Sequence, residues 1–323
     1  PNNASGNEHY TELLSGAAAG KWNDLPNTVA KQFVVEYTTN GTTISSYSGG
    51  FNISCFGAND GKITLMPTGG VLKADGTYTY EWTKTGDAGY SATTKDIENL
   101  GPGTYNVKVI DRNNCEVQGS FTLTEPPQLA GSLDNTISTT INCFNEEGTI
   151  KVDIDSQSVA PYSYQFTGED YLTNEINVLF TNQTDLTKSL NVKAGTYQVK
   201  IIDANGCFIT TANKTFTQPD QAVNVKNIVV KKYVQYGDGV ANEVNISCNG
   251  LNDGEITFNV DGGTPNDDGS YNYAWEIVSG GVGTGLDADG GSPQTGLTAG
   301  EYRLTVSDKT GTCTVVEIFD INN

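Results

Sequence analysis

The chain has little of what enzymes and nucleic-acid-binding proteins use. It has one histidine, His9, one methionine, and 18 basic residues against 38 acidic ones, for a net charge of −20. Such a charge repels phosphate backbones, which argues against nucleic acid as a partner. His9 lies in an N-terminal segment without strand periodicity, so the sequence lacks the histidines that a Ser-His-Asp triad or a histidine zinc site needs. We therefore predict no enzyme and no catalytic residues.

Long apolar runs are also missing. No stretch approaches the roughly 20 apolar residues that span a bilayer, and the first residues carry no signal-peptide pattern. Paired cysteines, scarce methionine, and abundant glycine, asparagine, threonine and tyrosine instead favour an oxidising, extracellular setting. The sequence therefore predicts a secreted chain without membrane insertion.

Two cysteines recur in each of three similar segments. The first follows an isoleucine by two positions and opens a turn, and the second closes a short turn that begins with an aspartate. A period of roughly 90 to 105 residues is that of a small domain. We predict repeats at 33–127, 128–220 and 221–323, after a segment 1–32 that is either a flexible lead-in or the remnant of a preceding repeat.

Alternation with a period of two predicts the strands. One strand of each repeat carries alternating aromatic residues, and a later strand begins with the pattern Gly-x-Tyr. Leu100, Gly103 and Tyr105 have the pattern of a tyrosine corner, in which a phenol bonds back to the preceding loop. The sequence thus predicts an all-β chain of tandem immunoglobulin-like β-sandwich domains, each with one intradomain disulfide.

Six cysteines allow fifteen pairings, and strand counting narrows them. We count four strands between the two cysteines of a repeat, and an even number of antiparallel passes returns the chain to its starting end. This predicts the pairs Cys55–Cys115, Cys143–Cys207 and Cys248–Cys313. The alternative joins neighbours, Cys115–Cys143 and Cys207–Cys248, and leaves Cys55 and Cys313 unpaired.

Acidic turns next to the cysteines are candidate calcium ligands. Asp60 and Asp253 stand just before a strand, and Asp111 and Asp308 just after one. If the cysteines of a repeat meet, these carboxylates approach each other and could share a Ca²⁺ ion, which prefers oxygen ligands. The alternative is that Asn-Asp-Gly forms a tight turn in which the aspartate caps its own backbone.

Together these motifs resemble the SprB-type repeats of large surface adhesins of gliding Bacteroidota. The likeness rests on the Cys-x-Gly-x-x-Asp-Gly turn, the aromatic strand, the Gly-x-Tyr strand and the segment 203–207, Asp-Ala-Asn-Gly-Cys. The middle repeat departs from the pattern at Glu146-Glu147-Gly148.

The resemblance implies an immunoglobulin-like sandwich and export by the type IX secretion system to the cell surface, outside the outer membrane. The implied function is non-enzymatic: an extended stalk or adhesive surface used in attachment and gliding motility. The implied partners are an extracellular surface or polysaccharide and neighbouring repeats of the same long chain. Two alternatives remain, a calcium-dependent glycan-binding module and a domain accessory to a secreted glycosidase.

Overall fold

The structure, a computed structural model, describes residues 8–13, 22–26, 35–36, 42–237, 239–281 and 286–323, with side chains from residue 42 onward. In these residues the regular elements are strands, apart from one 3-10 turn at Ser48–Gly50. The all-β prediction is confirmed. Within the described residues, no helix has the length and apolar character that a membrane crossing requires.

The segment 1–32 contributes two paired strands. β1 (Glu8–Leu13) and β2 (Trp22–Pro26) form an antiparallel pair. The predicted strand from residue 32 is described only at β3 (Val35–Glu36), which pairs with Thr68–Gly69 further along the chain. The side chain of His9 lies outside the described part. The two interpretations of the segment 1–32, a flexible lead-in or the remnant of a preceding repeat, both stay predictions.

The first repeat folds as two facing sheets. Its strands are β4 (Thr43–Ile44), β5 (Gly61–Thr64), β6 (Thr68–Gly69), β7 (Thr79–Lys84), β8 (Asp87–Ala92), β9 (Ile97–Leu100), β10 (Gly103–Ile110) and β11 (Glu116–Leu123). One sheet has the order β4-β5-β9 and the other the order β11-β10-β7-β8.

The second repeat has the same two-sheet plan. Its strands are β12 (Ala130–Leu133), β13 (Gly148–Ser156), β14 (Tyr162–Asp170), β15 (Glu175–Gln183), β16 (Thr187–Val192), β17 (Gly195–Ile202), β18 (Phe208–Thr210) and β19 (Lys214–Phe216). One sheet has the order β12-β13-β16, and the other joins β15, β14 and β17, with β18 and β19 both paired to β17.

The third repeat also has two sheets, and it adds a hairpin. Its strands are β20 (Asn224–Val230), β21 (Tyr233–Gly237), β22 (Val240–Val244), β23 (Gly254–Asp261), β24 (Asn272–Ser279), β25 (Gln294–Leu297), β26 (Gly300–Ser307) and β27 (Thr314–Ile321). The sheets have the orders β20-β23-β25 and β24-β26-β27, and the hairpin is β21-β22. The chain is therefore a series of three immunoglobulin-like sandwiches.

This series divides into two compact units. Unit 1 holds Pro1–Gln128 together with two short segments of the second repeat, Ser158–Ala160 and Ala204–Cys207. Unit 2 holds Leu129–Gln157, Pro161–Asp203 and Phe208–Asn323. Two loops of the second repeat thus pack with the first sandwich.

Alternating apolar residues fill the space between the sheets. The aromatic strands point inward as predicted: Trp82 is 1% exposed, and Tyr164 and Phe166 are equally buried. Trp275 occupies the matching place in the third core. Aromatic rings supply much of the burial that small sandwiches need.

The predicted tyrosine corner is confirmed and occurs in all three repeats. The hydroxyl of Tyr105 donates to the Gly101 carbonyl at 2.9 Å, that of Tyr197 to Lys193 at 3.0 Å and that of Tyr302 to Thr298 at 2.8 Å. Each bond fixes the loop before the strand that begins with Gly-x-Tyr. The corner therefore holds the loop at one end of each sandwich in place.

The chain crosses each sandwich five times between its two cysteines. In the first repeat the passes are β5, β7, β8, β9 and β10. In the second repeat they are β13 to β17. In the third they are β23, β24, the segment 286–293, β25 and β26; Trp275 N–H of β24 donates to the Ala288 carbonyl of that segment. The count of four from the sequence is wrong because it does not separate β8 and β15 from their neighbours.

An odd number of passes puts the two cysteines at opposite ends of their sandwich. We call the end with the first cysteine the rear pole; there Gly61 lies opposite Leu100 and β11 ends at Leu123. The front pole carries the second cysteine, directly after β10. Eight residues of β10 separate the poles by about 23 Å at the usual rise per residue.

Buried tyrosines predict a loss of stability at high pH. Burial raises the pKa of Tyr197 from the usual 10 to about 12, and the charge of Asp170 acts in the same direction. Burial likewise raises the pKa of Tyr164 to about 12. The unfolded chain loses these protons near pH 10, whereas the folded chain keeps them to about pH 12. The stabilisation is therefore complete below pH 10 and declines as the pH rises to 12.

Tyr197→Phe separates the two contributions of this phenol. We expect the variant to be about 1 kcal/mol less stable at pH 8, because the bond to Lys193 is lost, and to lose less stability than the parent chain between pH 10 and 12. Urea melts at pH 8, 10 and 11 measure both. Equal slopes against pH in the two proteins would contradict the assignment.

Candidate functional site

Two disulfides link consecutive repeats. Cys55 is bonded to Cys207, with 5.7 Å between their Cα atoms, and Cys143 to Cys313, with 5.4 Å. The predicted pairs Cys55–Cys115, Cys143–Cys207 and Cys248–Cys313 are therefore wrong, as is the neighbour pairing Cys115–Cys143 and Cys207–Cys248. The reason is the fifth pass, which holds the two cysteines of one repeat apart at opposite poles.

The two bonds follow one rule. In each, the first cysteine of a repeat, at its rear pole, is bonded to the second cysteine of the next repeat, at its front pole. A chain that enters a sandwich at the front pole and leaves it at the rear pole brings these two groups close. The bridges therefore lie at the junctions between repeats and close loops with sequence separations of 152 and 170.

The first cysteine sits in the same turn in every repeat. Its carbonyl accepts an N–H from three residues on, at 3.0 Å for Cys55, 3.3 Å for Cys143 and 3.1 Å for Cys248. The second residue after the cysteine has a positive φ in each case, +73° at Gly57, +64° at Asn145 and +84° at Gly250. Glycine and asparagine adopt this conformation at low cost, which explains the Cys-x-Gly pattern.

The second cysteine closes a turn that its aspartate organises. Cys115 N–H donates to Oδ1 of Asp111 at 2.9 Å, and Asp111 N–H donates to the Cys115 carbonyl at 3.0 Å. Asp308 N–H reaches the Cys313 carbonyl at 3.1 Å in the same way. The turn also holds a neighbouring loop, because Oδ2 of Asp111 accepts from Val71 N–H and Oδ2 of Asp308 from Thr264 N–H.

Polar contacts surround the first bridge. The Asn205 side chain accepts from Ser48 N–H at 2.9 Å and donates through Nδ2 to the Ser54 carbonyl at 3.1 Å. Val159, on the adjoining loop, is 5% exposed; a Cβ placed on Gly49 would lie 3.1 Å from Cγ1 of Val159. Backbone, side chain and disulfide thus fix the two loops of the second repeat within unit 1.

The second bridge repeats this arrangement. Sγ of Cys313 lies 3.3 Å from the Asn142 carbonyl, as Sγ of Cys207 lies 3.3 Å from the Ser54 carbonyl. Thr312 Oγ1 lies 3.7 Å from Sγ of Cys143, and Cys143 packs against the core of the third repeat. The two junctions therefore share the position of sulfur relative to the residue before the first cysteine.

Two cysteines have no disulfide partner. Cys115, the second cysteine of the first repeat, is buried, and Cys248, the first cysteine of the third repeat, is exposed. Burial raises the pKa of the Cys115 thiol, and the charge of Asp111 adds to this. The two bridges thus leave out one second cysteine, Cys115, and one first cysteine, Cys248.

The candidate calcium ligands serve backbone groups. Asp111 and Asp308 cap front-pole turns, whereas Oδ1 of Asp60 accepts from Ser54 N–H and Oδ1 of Asp253 from Ser247 N–H, both at 3.1 Å, at rear poles. A bond from the Val71 backbone holds the pKa of Asp111 below its usual range, and bonds from Ser247 do the same for the pKa of Asp253.

The shared-ion arrangement depended on cysteines of one repeat meeting, and Asp60 and Asp111 instead lie at opposite poles. Within the described residues, no group of three or more histidine, cysteine, aspartate or glutamate side chains is arranged to hold a metal ion. Calcium binding at Asp60, Asp111, Asp253 and Asp308 stays a prediction.

Comparison with known proteins gives a family match in two of the repeats. The sequence model of the SprB repeat matches residues 52–86 and 240–283, the first-cysteine halves of the first and third repeats. These two segments are thus similar to the SprB repeat, as their motifs indicated. A comparison with curated protein sequences gives no match.

Solved structures resemble the chain only distantly. A tetra-tandem repeat from the extending region of a large adhesion protein is 17% identical, with a TM-score of 0.25, over 87% of this chain and 74% of that one. Activated α-2-macroglobulin of Escherichia coli is 12% identical, with a TM-score of 0.24, over 97% of this chain and 35% of that one. Dpr2 Ig1-Ig2, in a complex with DIP-Theta, is 9% identical, with a TM-score of 0.28, over 90% and 99%.

Peptide mapping under non-reducing conditions tests the bridges. We expect peptides that join Cys55 to Cys207 and Cys143 to Cys313. Replacing Cys55 and Cys207 together by serine should cost on the order of 5 kcal/mol, since the bond closes a long loop. The matched control, Cys248→Ser, changes an exposed thiol and should leave the melt within about 0.5 kcal/mol. A peptide joining Cys55 to Cys115 would contradict the rule.

Thermal melts with Ca²⁺ and with a chelator test the aspartates. Because Asp111 already accepts backbone bonds, we expect Asp111→Asn to lower the melting temperature by the same amount in both conditions. The loss should shrink as the pH falls below about 4, because the parent carboxylate becomes protonated there and its contribution disappears. A melting temperature of the parent chain that rises with Ca²⁺, and does not in the variant, would instead establish a calcium site.

Proposed function

We propose, on the premise that these SprB-type repeats follow one another in a single chain, that this region is the stalk of a cell-surface adhesin. In this role it transmits a pulling force between the cell and whatever the adhesin holds. The region is adhesin-like and structural, and its contribution to attachment and gliding is mechanical rather than catalytic. The observation that carries the proposal is the covalent bond between one repeat and the next.

The bridges change what force can do to the chain. A force applied to the two ends of an unbridged domain series can extend every residue once the sandwiches open. Cys55 and Cys207 are joined across a separation of 152 residues, and Cys143 and Cys313 across 170, so most of this length stays closed. Unfolding of the second sandwich can then release no more than the segment between Cys143 and Cys207, so the bridged chain extends far less than an unbridged one.

The interlocking of the bridges strengthens this argument. Cys143 lies between Cys55 and Cys207 in the sequence, and Cys207 lies between Cys143 and Cys313. The second repeat is therefore held from both sides, by Cys143 at its rear pole and by Cys207 at its front pole. Neither junction can open fully while both bonds persist.

An adhesive role is the second part of the proposal. Export by a type IX system, display outside the outer membrane and contact with an extracellular surface or polysaccharide are what the family resemblance suggests for this chain. Similar modules in series favour many weak contacts, whose effective concentration increases the total strength of attachment. The net charge of −20 suits a neutral or cationic surface better than an anionic one.

Single-molecule stretching tests the stalk. We expect the oxidised chain to extend far less than the reduced chain, with a difference on the order of several hundred ångström, given about 3.5 Å for each released residue. The matched control replaces Cys115 and Cys248 by serine and should extend like the oxidised parent. Equal extension before and after reduction would contradict the stalk.

Beads that carry the chain separate a stalk from an adhesive surface. Retention under flow on neutral polysaccharide films should rise steeply with chain density if the repeats themselves adhere. A chain with intact bridges that resists stretching but gives no retention at any density would leave the stalk and remove the adhesive role.

A further inference from the structure

We propose that Cys115 and Cys248 are the two halves of a further inter-repeat bridge, and that each docks the complementary pole of another repeat of this type. The front pole with Cys115 takes a rear pole that presents a first cysteine. The rear pole with Cys248 takes a front pole that presents a second cysteine. A second copy of this chain offers both, so copies should join head to tail. This inference does not depend on the adhesive role.

The turn at Cys248 matches the turns that are already bonded. The Cys248 carbonyl accepts Leu251 N–H at 3.1 Å, as the Cys55 carbonyl accepts Ala58 N–H at 3.0 Å. Ser247 N–H is held by Asp253 as Ser54 N–H is held by Asp60, both at 3.1 Å. The Cys248 turn therefore has the backbone of a first-cysteine turn ready for a partner.

The turn at Cys115 matches the bonded front-pole turns. Asp111 and Asp308 make the same backbone bond to their cysteine, at 3.0 and 3.1 Å. The residue after the aspartate donates to the adjoining loop in all three repeats: Arg112 to Val71 at 2.8 Å, Ala204 to Val159 at 2.9 Å and Lys309 to Thr264 at 2.8 Å. The loop that receives a neighbour at Cys207 thus has its counterpart at Cys115.

Exposure at equivalent positions differs in the way that docking predicts. Val159, at the occupied front pole of the second repeat, is 5% exposed, whereas Val71, at the same place in the first repeat, is 37% exposed. Asn113 stands where Asn205 stands in the second repeat and is exposed. The apolar and the polar residue that make contacts at the occupied junction therefore both have exposed counterparts at the Cys115 pole.

The Cys248 pole shows apolar surface as well. The hairpin β21-β22 leads into the Cys248 turn and is attached to it by Gln235, whose Nε2 donates to the Ile246 and Ser247 carbonyls. On this hairpin Tyr236 is 81% exposed and Val240 61% exposed. These large apolar side chains, on a hairpin bonded to the turn of an unbonded first cysteine, offer apolar surface to the front pole of a further repeat.

Bond formation needs an oxidant, and a low-molecular-weight disulfide such as oxidised glutathione supplies it. The exposed Cys248 thiol first exchanges with the oxidant, forming a mixed disulfide and releasing one reduced glutathione. The Cys115 thiolate of the docked copy then attacks the Cys248 sulfur and displaces the second glutathione. Two thiols are oxidised, one disulfide of glutathione is reduced, and both thiol protons end on the released glutathione.

Two single variants give a test with internal controls. Cys115→Ser keeps Cys248, and Cys248→Ser keeps Cys115. The parent chain, incubated with oxidised and reduced glutathione, should form dimers, trimers and longer species on non-reducing gels, because a head-to-tail dimer still presents one free pole of each kind. Each variant alone should stay monomeric, and an equal mixture of the two should stop at the dimer. Peptide mapping of that dimer should show Cys115 joined to Cys248.

The outcomes that overturn the inference are distinct. Dimers of Cys115→Ser alone, joined through Cys248 to Cys248, would show only collision of an exposed thiol. A bond between Cys115 and Cys248 within one monomer, or no mixed dimer at all, would also reject it. Because serine at the buried position 115 can affect folding, both internal bridges and the thermal melt of each variant are checked first. Cys115→Ala replaces Cys115→Ser, and Cys248→Ala replaces Cys248→Ser, if either serine variant fails this check.

Discussion

The number of times the chain crosses each sandwich determines how the molecule is held together. Five antiparallel passes put the first cysteine at one pole and the second at the other, roughly the length of β10 apart. A disulfide spans only about 6 Å between Cα atoms, so a repeat with this topology cannot bridge itself. A cysteine can therefore pair only with a cysteine outside its own repeat, as the cysteines of the two bridges do. The covalent link between repeats is thus a consequence of topology.

This constraint gives the junctions a different character from ordinary linkers. Prolines after β11 and β19 would by themselves only stiffen the chain, through their fixed φ and missing N–H. The bridges act across the junction, and the turns that carry them are held by carboxylates at Asp60 and Asp111 and by left-handed residues at Gly57 and Asn145. Each small sandwich with its modest core therefore gains stability from its neighbours as well as from its own burial.

Much of the fold was predictable from local patterns, because the residues that carry them act locally. Tyr105, Tyr197 and Tyr302 bond four residues back, and the inward aromatic strands follow from alternation alone. The pairing of the cysteines was not predictable in the same way. It depended on recognising β8, whose sequence Asp-Ala-Gly-Tyr-Ser-Ala is polar and interrupted by glycine, and one missed strand reverses the pole at which the chain arrives.

The residues of the junction escape sequence reasoning for a related reason. Asn205 and Ser54 are separated by 151 positions, and their contact exists only where two repeats meet. The signal is present in the Asn-Gly-Cys motif near the second cysteine, but a turn explains that motif sufficiently. Likewise, the expected approach of Asp60 to Asp111 followed from the wrong cysteine pairing. The sequence identified the cysteine turns at each pole, but its disulfide pairing joined the wrong poles.

The middle repeat shows which parts of the motif the bridge requires. It has Glu146-Glu147-Gly148 where the other repeats have Asn-Asp-Gly, yet Cys143 forms the same turn, with Asn145 at φ +64° and a 3.3 Å bond to its carbonyl, and the same type of bridge. The aspartate at this place is therefore dispensable for the link, whereas a residue that tolerates the left-handed conformation is present in all three turns. Asp60 and Asp253 each accept the N–H of the serine before the cysteine. They therefore add a hydrogen bond to the rear-pole turn, but the turn forms without them. Covalent linkage and local acidity are consequently separable properties of these repeats, and a repeat can lose its acidic turn while the series remains bonded.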